Sequence, residues 1–99
     1  MMKKDFSKYY FEGAWYPKAR IATALVRAYV RDNPSVTYLE LKTIFPDALQ
    51  GSLGVVAKHE DVLYKYADPH KRFYMDEKIY LQDKSIVVVC SQWGANLNF

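Results

Sequence analysis

The chain has 99 residues, about half of them apolar and a quarter charged, with a formal net charge of +3. That is the size and balance of one folded domain, and it excludes a disordered or multidomain chain. No apolar run approaches the roughly 18 residues that span a bilayer and no apolar stretch opens the chain, so a signal peptide is not expected and a cytoplasmic setting is.

Residues 6–16, FSKYYFEGAWY, cluster aromatics around Glu12-Gly13, the pattern of a short hairpin. Tyr9, Tyr10, Phe11, Trp15 and Tyr16 are candidate contacts to another protein, since Tyr and Trp dominate binding hot spots. Pro17 stands where a helix begins, because its missing N–H costs nothing in the first turn. Ile21, Ala22, Leu25, Val26, Tyr29 and Val30 recur at helical spacing and predict a helix over 18–32, ended by Asn33-Pro34. Arg20, Arg27 and Arg31 share one face of that helix, with Thr23 and Ala24 between them. Such a stripe can track phosphates, and the solvated back of an amphipathic helix carries the same pattern. Residues 1–33 hold seven Lys/Arg against three Asp/Glu, and residues 34–99 seven against eight. The N-terminal excess leans towards an anionic partner and argues against an acidic imitator of DNA.

Thr37-Tyr38-Leu39-Glu40 is a capping box, with Val36 and Leu41 as its hydrophobic staple. The helix it opens runs to about Phe45 and stops at Pro46. Residues 47–50 add one turn, with Gly51 as a left-handed cap. The pair Gly51 and Gly54 lacks the Gly-x-x-x-x-Gly-Lys-Ser/Thr spacing of a phosphate loop, and it reads as a helix terminator and a close-packing turn. A helix-turn-helix joint is the other reading. Against it, HEDVLYKY carries Glu60 and Asp61, which repel phosphate. Residues 54–66 fit a short strand followed by a helix from about Glu60 to Ala67. They also fit a single helical stripe through Val55, His59, Val62, Leu63 and Tyr66.

His70-Lys71-Arg72-Phe73-Tyr74 mixes basic and aromatic side chains, as surfaces that hold phosphate and stack on bases do. Lys71, Arg72 and Tyr74 join the arginine stripe as candidate nucleic-acid contacts. A loop leading into a strand is the plainer reading of the same residues. Residues 79–81 and 85–91 flank Gln82-Asp83-Lys84 as a hairpin. The run IVVVC at 86–90 does not alternate, so it predicts a central strand covered on both faces.

His59, His70 and the distant Cys90 match no zinc spacing, so no metal and no cofactor are expected. His59-Glu60-Asp61 has no paired nucleophile, so no catalytic residue is assigned and no enzyme is expected. Cys90, the only cysteine, rules out an internal disulfide and reads as a small core residue. In the closing SQWGANLNF, Trp93 is expected at the edge of the core, and Phe99 is a docking candidate.

TYLELKTIFPDALQGSLGVV followed by VVVCSQWGANLNF resembles a small prokaryotic module of bacterial and phage genes without assigned activity. Its marks are Tyr-x-Glu-Leu-Lys-x-x-Phe-Pro, Leu-Gln-Gly-Ser and Gln-Trp-Gly, and the resemblance covers about residues 9–99. It implies no catalytic residue. At residues 16–20 this chain departs towards basic side chains where such modules are richer in glycine.

These readings converge on a single α+β domain over residues 1–99, winged-helix-like, with two to three helices and a small antiparallel sheet ending in a C-terminal hairpin. The expected function is that of a nucleic-acid-binding or nucleic-acid-associated accessory domain. The alternative is a protein–protein interaction module, such as a small phage or mobile-element protein that modulates a host complex, with a homodimer as a variant.

Overall fold

A computed structural model describes residues 8–51 and 53–92; the expectations for Trp93 and Phe99 lie outside them. Glu12 and Gly13 both have positive φ, 49° and 83°, as a two-residue type I′ turn requires. They join β1 (Lys8–Phe11) to β2 (Ala14–Pro17), paired Tyr10 to Trp15 and Tyr9 to Tyr16. Side chains alternate along this ribbon. Tyr9, Phe11, Ala14 and Tyr16 are half-buried, and Lys8, Tyr10, Trp15 and Pro17 are exposed.

Pro17 ends β2 and is also the N-cap of α1 (Lys18–Asp32), one position earlier than the first-turn site expected for it. Its extended ψ of 160° turns the chain from strand to helix. The apolar stripe of α1 buries Ile21, Ala22, Val26 and Ala28. Thr37 then caps α2 (Tyr38–Ile44) through the full capping box with Glu40, and Val36 and Leu41 are both buried as the staple requires.

A 3₁₀ turn, Asp47–Leu49, leads to Gly51 and Gly54. Both glycines have positive φ, 125° and 82°. A Cβ on Gly54 would stand 2.5 Å from Asp47 Oδ1, so this pair is the joint that lets the chain leave a helical turn and enter a strand. Gln50 fastens the joint, accepting from the N–H of Leu53 (2.9 Å) and of Gly54 (3.1 Å).

The strand is β3 (Val56–Lys58), followed directly by α3 (His59–Lys65). The strand-then-helix reading of 54–66 therefore holds. Residues expected to form a loop at His70 instead make a single helical turn, α4 (Pro69–Arg72), with Pro69 in its first position. Then come β4 (Ile79–Tyr80) and β5 (Ile86–Val89). The sheet order β3-β5-β4 is antiparallel throughout and puts β5 in the middle.

β5 also explains its own composition. Val87 and Val89 pack with Ala22, Val26, Leu41 and Val56 on one face. Val88 and Cys90 pack with Val62, Phe73 and Met75 on the other. Both faces are covered by helices, so no polar alternation survives. The architecture is α+β, as expected, with four α-helices and two antiparallel sheets among the described residues. No helix of these residues is long and apolar enough to cross a membrane.

Candidate interaction surface

The register of β1 and β2 sets Tyr10 directly opposite Trp15. A two-residue turn makes Phe11 and Ala14 the hydrogen-bonded pair, so Tyr10 and Trp15 form the closer, non-hydrogen-bonded pair. Their rings meet edge to face at 5.1 Å and remain 62% and 66% exposed. Of the five aromatics expected at an interface, these two therefore face solvent, while Tyr9, Phe11 and Tyr16 turn towards α1.

Tyr16 also walls a groove between the hairpin and α1. One part of it, about 280 Å³, is lined by Pro17, Arg20, Thr23, Ala24, Arg27 and Glu77. The adjoining part, about 400 Å³, is lined by Phe11, Glu12, Ala28 and Arg31, again with Tyr16, Ala24 and Arg27. The three arginines expected on one face do share it.

Their partners differ. Arg20 pairs with Glu77, and its guanidinium lies 4.3 Å from the Tyr74 ring centroid. The hydrogen bond that Arg20 donates to Glu77 raises its pKa above the usual range. Arg31 donates from two nitrogens to the two oxygens of Glu12 (3.0 and 2.6 Å) and also reaches Asp32 at 2.9 Å. Those bonds hold the Glu12 and Asp32 carboxyls below their usual range. Arg27, exposed between these two, has no hydrogen bond or ion pair among the described residues.

The second basic patch is dispersed in the same way. Arg72 pairs with Asp68 at 2.9 Å and lies over Tyr66 at 5.0 Å. Lys71 is exposed, with no ion pair among the described residues. Tyr74 is half-buried, its hydroxyl donates to Ala19 O at 3.0 Å, and Arg20 covers its ring. Burial raises its phenol pKa. Arg20 and Tyr74 are thus brought together, but against each other.

The clamping carboxylates Glu12 and Glu77 escaped the sequence reading. Glu77 is 57 positions from Arg20, beyond any local signal. Glu12 did carry one, as a side chain at a turn position that favours Gly, Asn or Asp. A hollow of about 480 Å³ was also missed, with Leu53, Val62 and Phe73 on its floor, the Lys42–Asp47 pair at its rim and Tyr64 beside it, 96% exposed. Nothing in the spacing of residues 42–73 marks it.

Among the described residues no group of three His, Cys, Asp or Glu side chains is placed to hold a metal ion. Cys90 is buried, and burial pushes its thiol up to about 11, the opposite of what a nucleophile needs. No family model, curated protein or solved structure matches this chain.

Proposed function

We propose that the chain is a protein-interaction module that docks through the outer face of the β1–β2 hairpin, in the manner of a small phage or mobile-element protein that modulates a host complex. The observation that carries this reading is the Tyr10–Trp15 pair: two large aromatics, packed edge to face on each other, exposed, and serving no core. Their mutual contact fixes both rings before a partner arrives, which lowers the ordering cost of binding.

The test compares the wild type with Tyr10→Ser/Trp15→Ser in pull-downs from bacterial lysate, followed by reconstitution with the purified candidate. A partner that binds the wild type and is lost with the double variant supports the reading. Partners retained equally by a folded double variant reject it.

A second reading, nucleic-acid association, rests on Arg27 and Lys71, the two of its basic residues that meet no carboxylate among the described residues. The order α3, α4, β4–β5 hairpin supports its winged-helix form by fold analogy alone. Fluorescence anisotropy with labelled single- and double-stranded DNA and RNA decides it. Absence of binding to all four at low salt removes the reading.

A further inference from the structure

The lane of arginines on α1 is filled unevenly. Among the described residues Glu77 meets Arg20 and Glu12 meets Arg31, and no carboxylate meets Arg27 between them. Arg27 nevertheless lines both parts of the groove beside Tyr16 and Ala24. We infer that Arg27 receives a carboxylate from outside, the Glu or Asp side chain of an acidic segment of the partner protein, laid in the groove between the hairpin and α1. This deepens the interaction reading and rests on it.

Three further features point the same way. Thr23 lines the groove and is 5% exposed, and its hydroxyl has no hydrogen-bond partner. The usual acceptor in a helix, the carbonyl four residues back, is Ala19 O. That oxygen already takes the hydroxyl of Tyr74 besides its helical N–H. The N-terminus of α1 has no side-chain cap and no acidic residue in its first turn, so its positive end is left for an anion at the Pro17 side of the groove. The walls, Tyr16, Ala24 and Ala28, are apolar and suit the methylenes of a glutamate better than a hydrated phosphodiester. The two internal clamps show the geometry the lane accepts, a carboxylate meeting a guanidinium through one terminal nitrogen or through both.

The experiment follows the Arg27 Nε–Hε and backbone amide resonances of the isotope-labelled full chain. Four probes are titrated: Ac-Gly-Glu-Gly-NH₂, Ac-Gly-Gln-Gly-NH₂, inorganic phosphate and an eight-nucleotide oligothymidylate. Concentrations up to about 20 mM reach millimolar affinities. The glutamyl peptide is expected to shift Arg27 Nε–Hε and the Tyr16 and Ala24 amides saturably, about fivefold more tightly than the glutaminyl peptide. In Arg27→Gln that difference disappears.

Equal response to the two peptides, no saturable response to any probe, or a response that survives Arg27→Gln overturns the inference. Tighter binding of phosphate or oligothymidylate at Arg27 also overturns it and assigns the position to a phosphate backbone. The two readings fail separately. If Arg27 takes the glutamyl peptide while no partner depends on Tyr10 and Trp15, the interaction reading falls and the carboxylate position stands. If a hairpin-dependent partner still binds Arg27→Glu, the position falls and the interaction reading stands.

Discussion

At the scale of single residues, the informative positions are those where local chemistry works against the fold. The Thr23 hydroxyl is buried without a partner, and valine keeps its shape while removing the polar atom. Thr23→Val is expected to stabilise the chain by about 1 kcal/mol, read from the urea midpoint. Lys84 has φ of 72° in the turn before β5, a conformation that costs a side chain and not a glycine. Lys84→Gly is expected to add about 1 kcal/mol, because relief of that strain outweighs the freedom glycine adds to the unfolded chain.

Asp83 in the same turn accepts from the N–H of Tyr38 at 2.9 Å and of Ser85 at 2.8 Å. These bonds, Tyr38 first, hold its carboxyl below the usual range. A carboxyl whose pKa is lower when folded contributes stability above its unfolded value of about 4 and loses it as pH falls through the folded value. Stability measured from pH 6 down to pH 2 should therefore fall, and Asp83→Asn should flatten that acid limb while lowering stability at pH 6. An unchanged acid limb in the variant would reject the linkage.

At the scale of elements, legibility followed the range of the forces involved. The capping box of α2 is local chemistry written in four consecutive residues, and it formed as read. Thr37→Ala is expected to cost about 1 kcal/mol, and Leu41→Ala, which empties a fully buried site beside Val36, about 3 kcal/mol in denaturant unfolding. β5 was legible because apolar residues on both faces leave one solution for a five-residue run, a covered central strand. α4 was not, because a single turn has too few residues to show a period.

The candidate surface divides the same way. Tyr10 and Trp15 could be named from composition, but which of the five aromatics face outward depended on turn length and hence on register. The arginine stripe could be placed on one face by spacing. That Glu12 and Glu77 occupy two of its members depended on tertiary contacts, which spacing does not encode.

At the scale of the molecule, the count of 14 Lys and Arg overstates the cations free to meet phosphate. With Arg20, Arg31 and Arg72 paired internally, Arg27 and Lys71 are the members of the proposed set left for phosphate. Any nucleic-acid binding through that set is expected to show a log–log salt slope near −2, at about −0.9 per phosphate on duplex DNA. A slope of −5 or steeper would mean that the internal pairs open on binding. The hairpin face makes the complementary prediction. Tyr10→Ser/Trp15→Ser should lower stability, read from the unfolding midpoint, only by the roughly 0.2–1 kcal/mol of an exposed cross-strand aromatic pair, while removing partner binding. If the wild type self-associates in analytical ultracentrifugation, the same variant should be monomeric.

Pro17 has a consequence for assembly. In this ribbon the backbone groups of Tyr10 and Lys8 point off one edge and those of Trp15 and Pro17 off the other, and Pro17 has no N–H to give before the chain turns into α1. Among the described residues, the β1 rim presents the N–H groups of both Tyr10 and Lys8 to another strand, while the β2 rim is shut at Pro17 and presents only that of Trp15. Two copies joined rim to rim through β1 would make a four-stranded ribbon with a shut rim at each end. The proline-blunted rims at both ends of such a pair disfavour growth beyond two copies.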